Sequence, residues 1–343
     1  MSDALLSVED LRVRFRTEDG VVRAVDGVAF DLRAGEVLAI VGESGSGKSV
    51  TAQTIMGLTR SPNAEFEGRI VYGGIDLLSA SDDELRDIRG EEISMIFQDP
   101  MTSLHPVYRV GWQIAEIVQA HHRVSRAEAR ERAIEMLRQV GIPQPERRVD
   151  NYPHEFSGGM RQRAMIAMAL ANSPRILIAD EPTTALDVTI QAQIMQLLGR
   201  LKDELDSAVI LITHDLGIVA EVADRVLVMY AGMPVEVGST DQVFYDPQHP
   251  YTWGLLGSIA RVDQDLTERL PSIAGSPPSM LARPEGCPFR PRCPHEFAHC
   301  LELPPLERRV DDQGHSDRCW LTPDQKRERR MVEGRIGLEA GVA

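Results

Sequence analysis

The chain has 343 residues, of which 43% are hydrophobic and 26% charged, with a formal net charge of −15. That length allows two or three domains with sizeable cores, while the acid excess excludes a protein whose main work is neutralising nucleic-acid phosphates, which requires a basic footprint. No run approaches the ~18 apolar residues that span a bilayer, and Asp3, Glu9 and Asp10 stand where a signal peptide would place its apolar core. The expectation is a cytosolic chain with reduced cysteines, one that reaches a membrane only by docking onto other subunits.

In chain order, residues 5–41 read as strands with turns at Asp19-Gly20 and Ala34-Gly35, ending in the buried run Val37-Leu38-Ala39-Ile40-Val41. A Gly-rich loop follows, and a helix begins near Lys48. Ser81 and Glu84 form a capping box for a short helix. An apolar strand over 93–97 then leads to Gln98.

Residues 101–172 read as helical throughout. Ser125 and Glu128 make a second capping box; Ala133, Ile134, Leu137 and Val140 line one face before Gly141 closes the helix. Another apolar helix covers 160–171, with Pro174 beyond it. Strands at 175–179, 209–213 and 225–230 then alternate with helices at 189–205 and 216–223, which implies a parallel sheet flanked by helices. The expected fold is α/β, a phosphate-loop NTPase core with N-terminal antiparallel strands. Its expected divisions are a core at 1–100 and 173–245, a helical insertion at 101–172, and an extension at 246–343. Nine of the 21 prolines fall between Pro271 and Pro305, so the extension should be loop-rich, and its last twenty residues read as a polar, mobile tail.

Gly42-Glu43-Ser44-Gly45-Ser46-Gly47-Lys48-Ser49 is a complete phosphate loop between a buried strand and a helix. Its backbone N–H groups, together with Gly42, Ser44, Gly45, Gly47 and the following Val50, would surround the phosphates. Lys48 would reach the β- and γ-phosphates, and Ser49 would ligate Mg²⁺. Asp180 ends the strand before it, which suits a second Mg²⁺ partner, and Glu181 is placed to orient or deprotonate an attacking water. Gln98, at the end of a neighbouring strand, suits the cation or the water. Ser157-Gly158-Gly159 opens a helix and so offers a second anion cradle. One nucleotide needs only one cradle, so the second suggests a nucleotide held between two chains.

Three residues read two ways. Asp187 is a site residue or simply a helix N-cap. Phe15 stacks on adenine or belongs to the core. His214 donates to a γ-phosphate or is a structural histidine at a strand end.

The phosphate loop, Gln98, Phe156-Ser157-Gly158-Gly159-Met160, Asp180-Glu181, Asp187 and His214 stand in the order of an ABC-type ATPase, which the chain resembles over residues 5–245. The resemblance implies a head-to-tail dimer in which Ser157, Gly158, Gly159 and Asp187 act across the interface on the partner's ATP. It further implies Glu181 as general base, His214 as γ-phosphate contact, and Mg²⁺ held by Ser49, Gln98 and Asp180. Met160 in the signature, Gln98-Asp99-Pro100-Met101-Thr102-Ser103-Leu104 and Gln248-His249-Pro250-Tyr251-Thr252 make it similar to the D-type ATPase subunits of dipeptide and oligopeptide importers. His105 departs from the asparagine usual there. Two permease subunits, a second, paralogous ATPase and, indirectly, an extracytoplasmic solute-binding protein are the implied partners, without nucleic acid. The implied location is the cytoplasmic face of the inner membrane. Relatives carry dipeptides, oligopeptides, glutathione or nickel complexes.

A nucleic-acid or ribosome ATPase of the ABC type is disfavoured by the single core and the absence of heptads or a basic patch. A phosphate-loop kinase or GTPase is disfavoured by the Ser-Gly-Gly segment and by the lack of Asn-Lys-x-Asp. Cys287, Cys293, Cys300 and Cys319 lack the paired Cys-x2-Cys knuckles of a zinc ribbon. On spacing alone, unlinked structural cysteines and a four-thiolate iron–sulfur site both stand. Cys287-Pro288-Phe289 and Arg292-Cys293-Pro294 resemble the importer C-terminal region, which implies a 4Fe–4S cluster, with Zn²⁺ as the alternative.

Overall fold

The computed structural model describes residues 4–99, 103–184, 187–258, 273–308 and 314–332. Pro100 to Thr102, Ala185, Leu186 and the tail beyond 332 lie outside the described residues. The first half of the chain contributes β1 (Ala4–Thr17), β2 (Gly20–Arg33), β3 (Val37–Val41), β4 (Ala64–Tyr72), β5 (Ile75–Asp76) and β6 (Ile93–Ile96). The second half contributes β7 (Ile176–Asp180), β8 (Ala208–Ile212), β9 (Arg225–Tyr230), β10 (Met233–Ser239), β11 (Glu307–Arg308) and β12 (Ser316–Asp317).

These strands make an antiparallel sheet in the order β2-β1-β4-β5 and a larger one in the order β11-β12-β10-β9-β3-β8-β7-β6. In the larger sheet β9, β3, β8, β7 and β6 run parallel. β10, β12 and β11 continue it antiparallel, so the expected parallel sheet is mixed at one edge. β3, β7 and β8 are buried at every position, as strands covered on both faces must be. Leu38, Ile40, Ile178 and Ile210 pack toward Leu6, Val8 and Val28 of the antiparallel sheet. Leu177, Ala179 and Leu211 pack toward the helices on the opposite face. Each such aliphatic side chain contributes roughly 1.5–3 kcal/mol by leaving water, so truncating one fully buried isoleucine, Ile210, to alanine should cost about 2–5 kcal/mol.

The helical insertion is broken rather than continuous, with helices at Val110–His121, Arg126–Gln139, Pro145–Arg148 and Gly158–Ala169 and a 3₁₀ turn at Pro153–Glu155. Local chemistry sets the breaks. Ser125 and Glu128 form the expected capping box, Gly141 turns the chain out at φ 76°, and Pro145 and Pro153 each begin a new turn. Ser81 and Glu84 also form their capping box.

Beyond Ser239 the chain forms two helices, Thr240–Tyr245 and Pro250–Gly257, then loops with 3₁₀ turns. The expected tail is corrected over its first part. Pro323–Val332 is a helix, held by a buried ion pair of Lys326 with Asp317 at 2.5 Å and by Arg330 on Asp246.

Candidate functional site

In a parallel sheet, ligands gather at the carboxyl ends of the strands. Here β3, β8, β7 and β6 are successive neighbours. Their ends deliver, side by side, the phosphate loop after Val41, His214 after Ile212, Asp180-Glu181, and Gln98 after Ile96.

The phosphate loop wraps tightly because two of its glycines have no room for a Cβ. One at Gly42 (φ 149°) would collide with the Met229 carbonyl, and one at Gly47 (φ 99°) with the Ala24 carbonyl. Lys48 is buried and donates to the Gly42 and Glu43 carbonyls at 2.8 and 2.9 Å, so its ammonium points into the loop. Burial pushes its pKa down, against the opposing pull of Glu181, Asp180 and Glu43. Ser46 Oγ is buried without a partner. Ser44 and Gly45 are exposed at the mouth of the loop, and Val50 packs against the core below it.

Ser49 Oγ donates to Asp180 Oδ1 at 3.0 Å, which joins the first turn of the helix Lys48–Ile55 to the end of β7. Burial raises the Asp180 pKa, offset by the Ser49 hydrogen bond. A buried carboxylate beside a hydroxyl is a donor set suited to a hard divalent cation. Glu181 has φ 47°, a left-handed conformation that costs a non-glycine residue of order 1–3 kcal/mol. Its N–H donates to the Ile212 carbonyl at 2.8 Å, which fixes the turn. Its Oε2 accepts from Gln98 Nε2 at 3.0 Å and Thr184 Oγ1 at 2.7 Å, and His214 Nδ1 stands 3.7 Å away. Gln98, Thr184 and His214 therefore converge on one carboxylate oxygen of Glu181. Thr184 was not singled out from the sequence; a hydroxyl three residues after a strand-end glutamate is the signal that marks it.

The remaining expected residues divide. Ser157 is the exposed N-cap of the helix Gly158–Ala169 and accepts from the Met160 N–H at 3.3 Å, with Gly158 exposed and Gly159 half-buried beside it. Asp187 caps the helix Val188–Leu205 by accepting from the Ile190 N–H at 3.0 Å. The ordinary capping account thus explains its position. Phe15 is half-buried and packs on the core of the antiparallel sheet. Buried Gln162 donates to the Pro182 carbonyl, which ties the signature helix to the turn after Glu181.

The four cysteines form no disulfide and ring one small cavity, together with His249, His295, Phe289 and Trp320. The Cys287 N–H donates to the Cys300 carbonyl at 3.0 Å. Burial raises the Cys287 thiol and pushes Cys293 and Cys319 up to about 12, so these thiols stay protonated unless a cation joins them. Among the described residues, no three His, Cys, Asp or Glu side chains stand close enough to hold a metal ion.

A phosphate loop and a strand-end Asp-Glu pair in one parallel sheet, with a second Ser-Gly-Gly helix start facing outward, define an ABC-type ATPase cassette. Residues 25–184 match the family described as ABC transporter, and residues 235–300 match the one described as oligopeptide/dipeptide transporter, C-terminal region. The chain is 53% identical over 333 residues to the dipeptide transport ATP-binding protein DppD of Bacillus subtilis, covering 97% of this chain and 98% of that one. It is 55% identical over 306 residues to the oligopeptide transport ATP-binding protein OppD of Escherichia coli, covering 89% and 90%. Among solved structures, the ATP-binding cassette MJ0796, in a dimeric post-hydrolysis state bound to ADP and Pi, superposes with a TM-score of 0.62 at 30% identity, covering 68% of this chain and 98% of that one. The chain belongs to the ABC transporter ATP-binding proteins of the dipeptide and oligopeptide transport family, and it is an ATPase.

Proposed function

We propose that the chain energises import of peptides by hydrolysing ATP in a head-to-tail dimer with a second, paralogous ATPase. The observation that carries this is the convergence of Gln98, Thr184 and His214 on Glu181, one residue beyond the Ser49–Asp180 pair. The loop N–H groups and Lys48 bind the phosphates of ATP, while Phe15 flanks the base. Ser49, Asp180 and Gln98 would hold Mg²⁺, which supplies charge neutralisation on the β- and γ-phosphates. Glu181 accepts the proton of a water whose oxygen bonds to the γ-phosphorus as the bond to the bridging oxygen of ADP breaks. His214 donates to the γ-phosphate. Ser157, Gly158, Gly159 and Asp187 serve the partner's ATP, a reading supported by the exposure of Ser157 and Gly158 at a helix start.

The core at 1–100 and 173–245, the helical insertion at 101–172 and the extension from 246 are the working parts. The insertion passes closure of the dimer to two permease subunits, and the chain lies peripherally at the cytoplasmic face of the inner membrane. Val107, Tyr108 and Trp112 are exposed on the insertion, with the two rings stacked at 4.4 Å, which supports a docking role there. No helix among the described residues is long and apolar enough to cross a membrane. An extracytoplasmic solute-binding protein would deliver the peptide. The test is uptake of labelled di- and oligopeptides by cells lacking this chain, restored by the wild type and not by Lys48→Ala; unimpaired uptake without the chain refutes the reading.

We further infer that Cys287, Cys293, Cys300 and Cys319 hold a 4Fe–4S cluster. Support comes from four unlinked thiols that line one cavity. Iron and acid-labile sulfide should be present after anaerobic purification. Their absence, with stoichiometric zinc or no metal at all, refutes the cluster.

A further inference from the structure

The phosphate loop is gripped from outside by the C-terminal extension. Glu43, the second residue of the loop, receives a two-pronged contact from Arg292: Nη1 to Oε2 at 2.6 Å and Nη2 to Oε1 at 3.0 Å. The guanidinium is buried, with 5% of its side chain exposed, and each of its nitrogens is engaged. Nε donates to the Ala274 carbonyl at 2.9 Å, Nη2 to the Ile273 carbonyl at 3.3 Å, and Nη1 to Tyr230 Oη at 3.2 Å. The Glu43 N–H in turn donates to Tyr251 Oη at 2.8 Å, and Tyr251 is fully buried in the extension. Further along the same side, the Arg23 N–H donates to the Met280 carbonyl at 3.2 Å, and Arg283 pairs with Asp26 at 2.5 Å.

The charge arithmetic gives this clamp a purpose. A carboxylate in a loop built to receive a polyanion opposes its ligand, and the field of Glu43 is felt as far as the Lys48 ammonium. A bidentate guanidinium cancels that charge and fixes its direction, whereas a lysine would cancel it without fixing it. We propose that Arg292 is a positioning residue for ATP binding: it neutralises and orients Glu43, so that the C-terminal extension is a working part of the nucleotide site and not an appendage to it.

The test uses the full-length chain and measures both the Kd for a fluorescent ATP analogue with Mg²⁺ and the split of KM and kcat in hydrolysis. Arg292→Ala should weaken nucleotide binding about tenfold, equivalent to about 1.4 kcal/mol, with the change in KM and little in kcat. Arg292→Lys should fall between that variant and the wild type. The double variant Glu43→Gln/Arg292→Ala should recover most of the lost affinity, because removing the orphaned carboxylate removes the repulsion. A merely structural arginine would give no such rescue. Where Arg292→Ala does not fold, Arg292→Gln takes its place in the same cycle. Wild-type affinity in the single variant, or a double variant no tighter than the single one, overturns the proposal.

Discussion

Replacing Glu181 by glutamine removes one proton-accepting charge and leaves almost every other contact available. The Thr184 hydroxyl, 2.7 Å from Oε2, can still donate to an amide oxygen. The left-handed backbone at φ 47° costs a glutamine no more than a glutamate, and the N–H bond to Ile212 is a main-chain contact. Only the Gln98 amide, 3.0 Å away, must choose between the two ends of the new side chain. Stability should therefore change by less than about 1 kcal/mol, within the scatter for a substitution away from core or cap. A positioned general base contributes about 10²–10⁴-fold, and at about 1.36 kcal/mol per decade this is about 2.7–5.4 kcal/mol of barrier. Phosphate release by Glu181→Gln should fall by that factor while the Kd for MgATP holds within about threefold, about 0.65 kcal/mol. ATP should then accumulate intact in the closed dimer, readable as a nucleotide-dependent shift in size-exclusion chromatography. Turnover within about threefold of the wild type would refute the assignment of the base, since no general-base contribution is that small.

Ser157→Arg should leave nucleotide binding by a single subunit intact and abolish both ATP-dependent dimerisation and hydrolysis; a normal rate in the assembled transporter would sink the cross-interface reading. Gly42→Ala should strain the loop by about 1–3 kcal/mol and eliminate ATP binding, because its Cβ meets the Met229 carbonyl, and isothermal titration would register both heat and affinity. His249 is fully buried, and burial, with Lys326 and Arg318 nearby, pushes its pKa down to about 3. Its folded-state pKa lies below its unfolded one, so the unfolded chain binds the extra proton. Stability should then fall as pH drops below about 6.5, by up to about 1.4 kcal/mol per unit, until about pH 3. His249→Asn keeps an acceptor for the Tyr251 N–H and should remove about one proton from that dependence in urea titrations between pH 7 and 5. An unchanged slope would contradict the buried neutral imidazole.

The catalytic edge of the molecule was legible because its signals are local. Buried apolar runs at Val37–Val41 and Ile176–Asp180 each stop at a residue with chemistry, and two capping boxes mark helix starts within four residues. What escaped is what depends on distant partners. β4 is exposed at three successive residues, Glu67, Gly68 and Arg69, so its period-two alternation is interrupted in the middle. β10 contains Pro234 and Gly238, which argue against a strand, yet β9 and β12 pair with it on either side. The helix Pro323–Val332 has no apolar stripe; its inward face is Lys326 and Arg330, which read as solvated charge until Asp317 and Asp246 are seen beside them. The Arg292–Glu43 clamp joins residues 249 apart, and nothing near either residue announces the other. Asp187 illustrates the opposite case, where a local rule is enough: an Asp just ahead of a helix caps it, as Asp187 does for Val188–Leu205.

The larger sheet is completed by β12, which pairs with Glu236 and Val237 of β10. Glu236 is wholly buried, and its carboxylate accepts from the Gln248 and His249 N–H groups and meets His315 at 2.9 Å. A chain leaves the ribosome N-terminus first. When the phosphate loop, Asp180 and Glu181 have all emerged, the partners of Glu236 and the arginine that quiets Glu43 are still unmade. The nucleotide site is therefore finished last, by residues that follow every catalytic group in synthesis. A chain cut short before Gln248 would leave β10 without β12 beside it and the buried Glu236 carboxylate without Gln248, His249 and His315.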